Sequence, residues 1–188
     1  MDITDFLINI FIILFLLFVN AFFVAAEFSL VKVRKTRLEQ LSNEGNGNAK
    51  KALKLVNDIN RMLAAAQLGV TIASIALGWV AESTIVQIIE PVIGFFAHTM
   101  NAMPAHLIAV PISFVLVTYF HVLLGEQLPK CISLRHPESL SLLIATPMDI
   151  FITIFKPFVL LLEVSGNKIL SACHANSEDA SLVHSTEE

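Results

Sequence analysis

Three long stretches of this sequence contain no Asp, Glu, Lys or Arg, and this feature limits the possible folds more than any other. The stretches cover residues 6–26, 62–81 and 91–125. A helix rises about 1.5 Å per residue, so about 20 apolar residues cross the roughly 30 Å hydrocarbon core of a bilayer. The sequence therefore predicts an all-α membrane protein with three spanning helices, at about residues 6–31, 62–89 and 106–127.

The composition argues against a soluble enzyme. Of the 188 residues, 55% are hydrophobic and only 15% are charged, whereas soluble domains carry about 25% charged residues. The chain contains no GxSxG, P-loop or HExxH motif, so we expect no enzymatic activity. The net charge of -4 gives no reason to expect nucleic-acid binding.

The distribution of basic residues predicts the orientation in the membrane. Eight of the 12 Lys and Arg lie between residues 32 and 61, whereas residues 90–106 contain none. An excess of basic residues marks the cytoplasmic side of a membrane protein. The N-terminus is therefore predicted to lie outside, and the chain is predicted to return to the cytoplasm after the third helix.

The basic loop, residues 33–61, has a structure of its own. Apolar residues recur at helical spacing in residues 33–42 and 48–62, and the turn signal EGNGN separates the two stretches. We predict a pair of short amphipathic helices on the cytoplasmic membrane surface.

Residues 139–163 are apolar enough for a fourth span, but charged residues and prolines interrupt them. These residues are Pro147, Asp149, Lys156 and Pro157. A charge inside the bilayer costs several kcal/mol, and each proline removes a helix hydrogen bond. Hydropathy leaves both arrangements open, and we favour a bent helical segment along the inner interface with Lys156 reaching water.

Polar groups inside the predicted spans are the candidate functional residues, because ionisable groups in a bilayer are expensive and often functional. Glu27 and Glu126 lie five and four residues before a lysine, so both carboxylates are predicted within about 8 Å of the cytoplasmic side. Pro129 has no N–H, which frees the carbonyl of Gly125 for a hard cation such as Mg²⁺ or Na⁺. The candidate metal-binding residues are Asn20, Glu27, Gly69, Thr71, Ser74, Gly125 and Glu126.

Ordinary structural roles remain open for these residues. Each carboxylate could pair with a nearby lysine, and each amide or hydroxyl could make a hydrogen bond between helices. Three histidines, His98, His106 and His121, are interpreted as packing or interface residues rather than ligands.

Three ordered blocks of sequence carry a resemblance to a known family. They are NAFFVAAEFSLVKVRKTRLEQL (20–41), QLGVTIASIALGWVAE (67–82) and GEQLPKCISLRHPE (125–138). Together they resemble the CorC/CNNM family of magnesium transporters, also described as hemolysin-like, over essentially the whole chain.

The resemblance implies a homodimeric transmembrane domain over residues 1–170. It implies three spanning helices, a cytoplasmic helix pair and a juxtamembrane belt, which supports an interfacial position for residues 139–170. It further implies Mg²⁺ export driven by inward Na⁺ across the bacterial inner membrane. Residues 171–188 would then be a linker to a cytoplasmic pair of CBS modules that bind ATP.

The resemblance also assigns individual residues. Glu126, in GEQLPK, matches the family's metal-contacting carboxylate, and Glu27 matches the Glu of the family's FFSxSE-type motif. Val24 and Ala26 stand where serines are common in the family. Thr71 and Ser74 stand where side-chain amides are common.

The expected activity is Mg²⁺ export by alternating access, with Na⁺ from outside competing with Mg²⁺ and favouring its release. Two alternatives remain open. The chain could be a membrane anchor and dimerisation module for a cytoplasmic nucleotide sensor, without transport. It could also transport another divalent cation, such as Co²⁺ or Mn²⁺.

Overall fold

Helices account for nearly all of the chain that the structure describes, and no strand occurs there. The structure is a computed structural model that describes residues 3–100 and 105–172. The helices are α1 (Ile3–Lys32), α2 (Lys35–Asn43), α3 (Gly47–Asn57), α4 (Ile59–Met100), α5 (Ala105–Phe120), α6 (Leu128–Arg135), α7 (Pro137–Ile154) and α8 (Lys156–Ala172). A π-helical segment, His121–Gln127, joins α5 to α6 without a break. The predicted linker, residues 171–188, lies outside the described residues apart from the last two residues of α8.

Four segments are long and apolar enough to cross a membrane. They are Ile3–Lys32, Ile59–Gly94, Leu107–Arg135 and Pro137–Ile154. The first three correspond to the spans predicted from sequence. The fourth is α7, which lies in the segment for which hydropathy left a span and an interfacial helix open. The all-α membrane class is therefore confirmed, and the described chain contains four candidate spans.

The outward surfaces of these helices are apolar, as contact with lipid requires. Large apolar side chains are more than half exposed along α1, α4, α5 and α7, including Phe11, Phe18, Trp79, Phe114 and Leu143. A soluble monomer rarely exposes contiguous apolar surface of this extent. The chain is therefore described as a multi-pass membrane protein.

Helix α4 is longer than the predicted span, because it continues past residue 89 and through Pro91 to Met100. Proline deprives the carbonyl four residues earlier of its donor. Membrane helices tolerate such interruptions when neighbouring groups or water satisfy the freed carbonyl.

A tight turn connects α2 to α3 at residues 44–46. Gly45 has a φ of 92°, a left-handed conformation that a residue without Cβ adopts easily. The side chain of Asn46 then caps α3 by accepting hydrogen bonds from the backbone N–H groups of Asn48 and Ala49. These local signals explain why two short helices form here in place of one long helix.

The hydrophobic core lies where α2, α3 and α7 pack around the end of α1 and the start of α4. Its largest fully buried apolar side chains are Leu30, Leu38, Met62, Met148 and Val159. Many of the other core residues are alanines, which allow helix backbones to approach closely. This end of the molecule therefore holds the hydrophobic core cluster of the described chain.

Besides these apolar contacts, helix α7 makes polar contacts with the α2–α3 pair. The pairs are Arg37–Glu138, Lys51–Thr146, Asn48–Thr146 and Lys54–Asp149. The chain then bends at Phe155 and continues as α8, with Pro157 in the first helical turn, where proline is tolerated.

Candidate functional site

Asn20 connects three helices from a fully buried position on α1. Its Nδ2 donates a hydrogen bond to the carbonyl of Gly125 at 3.1 Å, and its Oδ1 accepts one from Ser74 Oγ on α4 at 3.0 Å. A backbone carbonyl can only accept, so the amide nitrogen must face Gly125. Asn20 therefore makes one donor and one acceptor contact between candidate spans.

The carbonyl of Gly125 is available because of the local helix geometry. Pro129 has no N–H to donate to it, and the helix widens into a π-helical segment just before this proline. The N–H of Leu128 accordingly reaches the carbonyl of Leu123, five residues earlier. Such π-helical turns occur frequently at functional sites.

Glycine is also required at position 125 for steric reasons. A Cβ built there would lie 2.9 Å from Cδ2 of His121 and 3.0 Å from Nδ2 of Asn20. Any larger residue would therefore force the His121 ring and the asparagine amide to shift.

His121 belongs to the same cluster, although the sequence analysis interpreted it as a packing or interface residue. Its Nε2 lies 3.3 Å from Ser74 Oγ. Because the Ser74 hydroxyl hydrogen points to Asn20, Nε2 acts as the donor to Ser74 Oγ. His121 precedes Gly125 by four residues and so shares its helix face, a signal that sequence reasoning overlooked. We call Asn20, Ser74, His121 and Gly125 the Asn20 cluster.

A cavity of about 300 Å³ adjoins this cluster between α4 and α5. Ser74 and His121 line one part of it, and Gly78, Glu82 and Thr118 are also among its lining residues. Glu82 lies eight residues beyond Ser74 on α4, or roughly 12 Å by helical rise. The cavity is therefore lined by polar groups from Ser74 and His121, in the Asn20 cluster, to Glu82 further along α4.

The two candidate carboxylates, Glu27 and Glu126, are both half-buried. Glu126 follows Gly125 directly in the chain and makes no hydrogen bond or ion pair with another described residue. The Nζ of Lys130 lies 4.7 Å from the centre of the Phe28 ring, and none of the ion pairs of the described residues includes Glu27 or Glu126. The carboxylate–lysine ion pairs considered from sequence therefore do not form within the described chain.

Gly69 and Thr71 lie outside the Asn20 cluster. Gly69 is buried, and a Cβ there would lie 2.5 Å from the Phe23 ring, so its position serves the close packing of α4 on α1. Thr71 is exposed and donates its hydroxyl to the carbonyl of Gln67.

The site lacks the chemistry of a strong transition-metal centre. Within residues 3–100 and 105–172, no three His, Cys, Asp or Glu side chains converge on a metal-sized space. The Asn20 cluster itself offers a cation only neutral oxygens, and Glu126 is the carboxylate next to it in sequence.

Comparison with known proteins decides the family. The family described as the cyclin M (CNNM) transmembrane N-terminal domain matches residues 11–188. This chain belongs to the CNNM family. The resemblance drawn from the three sequence blocks is thereby confirmed.

The CNNM relatives include several bacterial proteins. The UPF0053 protein YrkA of Bacillus subtilis is 36% identical over 182 residues, which cover 96% of this chain and 42% of YrkA. The UPF0053 protein YhdP of the same organism is 33% identical, covering 97% of this chain and 41% of YhdP. The polyamine export protein of Haemophilus influenzae is 28% identical, covering 76% of this chain and 32% of that protein. The chain thus spans less than half the length of these curated relatives.

Two positions of this CNNM chain lack hydroxyls that the resemblance associates with the family. Val24 and Ala26 are both buried in the packed face of α1. The nearby hydroxyl of Ser29 is also buried and donates to the carbonyl of Ala26. Helix α1 therefore contributes Asn20 to the cluster, and Glu27 lies about 10 Å further along the helix by helical rise.

Proposed function

We propose that this chain is the membrane domain of a Mg²⁺ exporter that is driven by inward Na⁺ and works as a homodimer. One observation carries the proposal. A buried asparagine joins two other helices through Ser74 and the carbonyl of Gly125, and the unpaired carboxylate of Glu126 follows that carbonyl directly. Ionisable groups are costly inside a bilayer, so a carboxylate within a span indicates a functional site.

The chemistry of these groups suits a hard cation. Glu126 would supply the negative charge, and the Gly125 carbonyl and Asn20 Oδ1 each keep a second lone pair beyond the hydrogen bonds they already accept. Mg²⁺ prefers oxygen ligands and loses its water reluctantly. A site with one carboxylate and several neutral oxygens would therefore hold a partly hydrated Mg²⁺.

Glu27 would form part of the cytoplasmic approach to this site. It lies seven residues after Asn20 on α1, close to the basic end of the helix. The cavity that reaches Glu82 would provide the route on the other side. Na⁺ that enters from outside would compete with Mg²⁺ for the site. The two ions would then occupy the pathway alternately.

We infer that three helices span the membrane and that α7 lies along its inner surface. Helix α7 makes polar contacts with α2 and α3 from Glu138 to Asp149, which is roughly 16 Å of its length by helical rise. Charged pairs over that length are unfavourable in hydrocarbon. With the basic residues inside, the N-terminus would be outside and the C-terminus inside, in a bacterial inner membrane.

The relatives are more than twice as long as the region that aligns with this chain. We propose that a cytoplasmic pair of CBS modules follows the membrane domain and binds ATP. Regulation of transport would then depend on that cytoplasmic part, whereas the ion pathway would lie in the helices described above.

Polyamine export is a second candidate, since one relative carries that name. The cavity beside the Asn20 cluster favours it, because Glu82 offers a carboxylate for an ammonium group and Phe114 offers an apolar wall for an alkyl chain. Spermidine is therefore a necessary competitor in any binding experiment, together with Mn²⁺ and Co²⁺.

The proposal is tested by titrating Mg²⁺ into the purified chain and its Glu126→Gln variant by calorimetry. We expect at least tenfold weaker binding in the variant, because it loses the carboxylate that directly follows the Gly125 carbonyl in the chain. Glu39→Gln is the matched control, since Glu39 is an exposed carboxylate on α2. Unchanged Mg²⁺ binding in Glu126→Gln would contradict the site.

If spermidine, Mn²⁺ or Co²⁺ binds more tightly than Mg²⁺, the proposed substrate is wrong but the proposed site still holds. Absence of binding by the unmodified chain would favour the membrane-anchor alternative.

A further inference from the structure

A second cavity lies far from the Asn20 cluster, where α3, the start of α4, α7 and α8 meet. Its volume is about 270 Å³. The lining residues are Lys54, Leu55, Asp58, Arg61, Met62, Asp149, Ile152, Thr153 and Lys156. The proposed transport pathway uses none of them.

The charged groups of this cavity leave an excess of positive charge. Lys54 forms an ion pair with Asp149 at 2.9 Å, and Arg61 Nη1 lies 3.8 Å from Asp58. Lys156 makes no ion pair or hydrogen bond within the part of the chain that the structure describes. Three cations thus face two carboxylates, and both carboxylates already have a cationic partner.

Arg61, which lines this cavity, has an unused donor. Its Nε is buried and has no hydrogen-bond acceptor among the described residues. Buried polar groups are nearly always paired, so this N–H requires an acceptor that the described chain does not provide. The planar guanidinium group matches the oxygen spacing of a phosphate.

Apolar groups next to these donors favour a lipid as the ligand over a free anion. Leu55, Met62 and Ile152 line the same cavity, and α8 continues from Lys156 with the exposed apolar side chains Phe158 and Leu161. A phospholipid headgroup could thus reach the cations while its acyl chains follow the apolar surface of α8. Basic pockets between membrane helices bind lipid headgroups in this way.

We propose that this cavity binds the phosphate of an anionic phospholipid, with Arg61 and Lys156 as its donors. The lipid would fix the junction of α4, α7 and α8 at the membrane surface. This inference does not depend on which ion the chain transports.

Native mass spectrometry of the full chain with phosphatidylglycerol tests the proposal. Lys156→Gln removes one donor from an exposed position, and Arg61→Lys keeps the charge but removes the planar N–H fork. We expect each variant to bind the lipid about tenfold more weakly, as the loss of one charge-assisted hydrogen bond predicts. Lys50→Gln is the matched control, because Lys50 is an exposed lysine on α3 outside the cavity; its affinity should change by less than about twofold.

Two further ligands test whether the cavity binds an anionic lipid, any phospholipid or a free phosphate ion. Phosphatidylcholine should bind more weakly than phosphatidylglycerol, and inorganic phosphate should not displace the lipid. Wild-type affinity in both cavity variants would overturn the site. Equal binding of phosphatidylcholine would overturn the preference for an anionic lipid, and displacement by inorganic phosphate would overturn the lipid itself.

Discussion

The polar residues that link α1, α4 and the π-helical segment differ in kind from those between α7 and the α2–α3 pair. In the first region, Asn20, Ser74 and the Gly125 carbonyl are uncharged and satisfy one another. Between α7 and the helix pair, charged side chains such as Lys54 and Asp149 pair while partly exposed.

We attribute the difference to the position proposed for α7, at the membrane surface rather than across the bilayer. A bilayer does not hydrate a polar group, so such a group must find its partner in the protein. Water at the membrane surface stabilises charges whether or not they are paired, which makes an ion pair there worth little. The half-buried carboxylates of Glu27 and Glu126 are exceptions to this rule. We therefore propose a functional role for both.

The largest expected effect is on packing within the spans. Gly69→Ala would place a Cβ 2.5 Å from the buried Phe23 ring, and such overpacking costs about 1–3 kcal/mol. Gly78→Ala on the same helix has no atom within 4 Å of its new Cβ and should be neutral or slightly stabilising. Denaturant titrations in detergent would compare the two free energies of unfolding. Equal stability of the two variants would show that α1 and α4 are less closely packed than described.

A smaller loss is expected from Asn20→Leu, which keeps the side-chain size but removes both hydrogen bonds. The Gly125 carbonyl and the Ser74 hydroxyl would lose their partner, at a cost of about 1–2 kcal/mol. The same titration checks this value, with Phe18→Leu at the exposed surface of α1 as the control. A stability loss no greater than that of the control would mean that Asn20 does not hold the helices together.

The smallest effect is expected for the ion pair between Lys54 and Asp149. A double-mutant cycle with Lys54→Gln and Asp149→Asn should give a coupling free energy below about 1 kcal/mol. The coupling should decrease further at high salt, because exposed charges are screened. A coupling that exceeds the effect of Asn20→Leu would reverse the comparison between the two regions.

Much of the fold follows from local sequence signals. The uncharged apolar runs predicted the all-α membrane class, and Pro129 predicted a freed carbonyl at Gly125 from its covalent structure alone. The turn residues around Gly45 predicted where a helix would end, because the left-handed conformation is local to one residue. None of these inferences requires knowledge of how the helices pack.

The contacts between helices could not be predicted in the same way. Asn20 and Gly125 are separated by 105 positions, and their hydrogen bond depends on the rotation and depth of two helices. Ser74 and Thr71 share a helix face by spacing, yet only Ser74 reaches Asn20, because spacing does not determine which way a face points. His121 entered the cluster through the same tertiary geometry.

The central claim is that the ion pathway passes the Asn20 cluster beside Glu126. The most direct test is Mg²⁺ flux in proteoliposomes that contain this chain, measured with and without a Na⁺ gradient. The account predicts flux that requires the Na⁺ gradient, is lost in Glu126→Gln and is retained in Glu39→Gln. Equal flux in the wild type and in Glu126→Gln would contradict it.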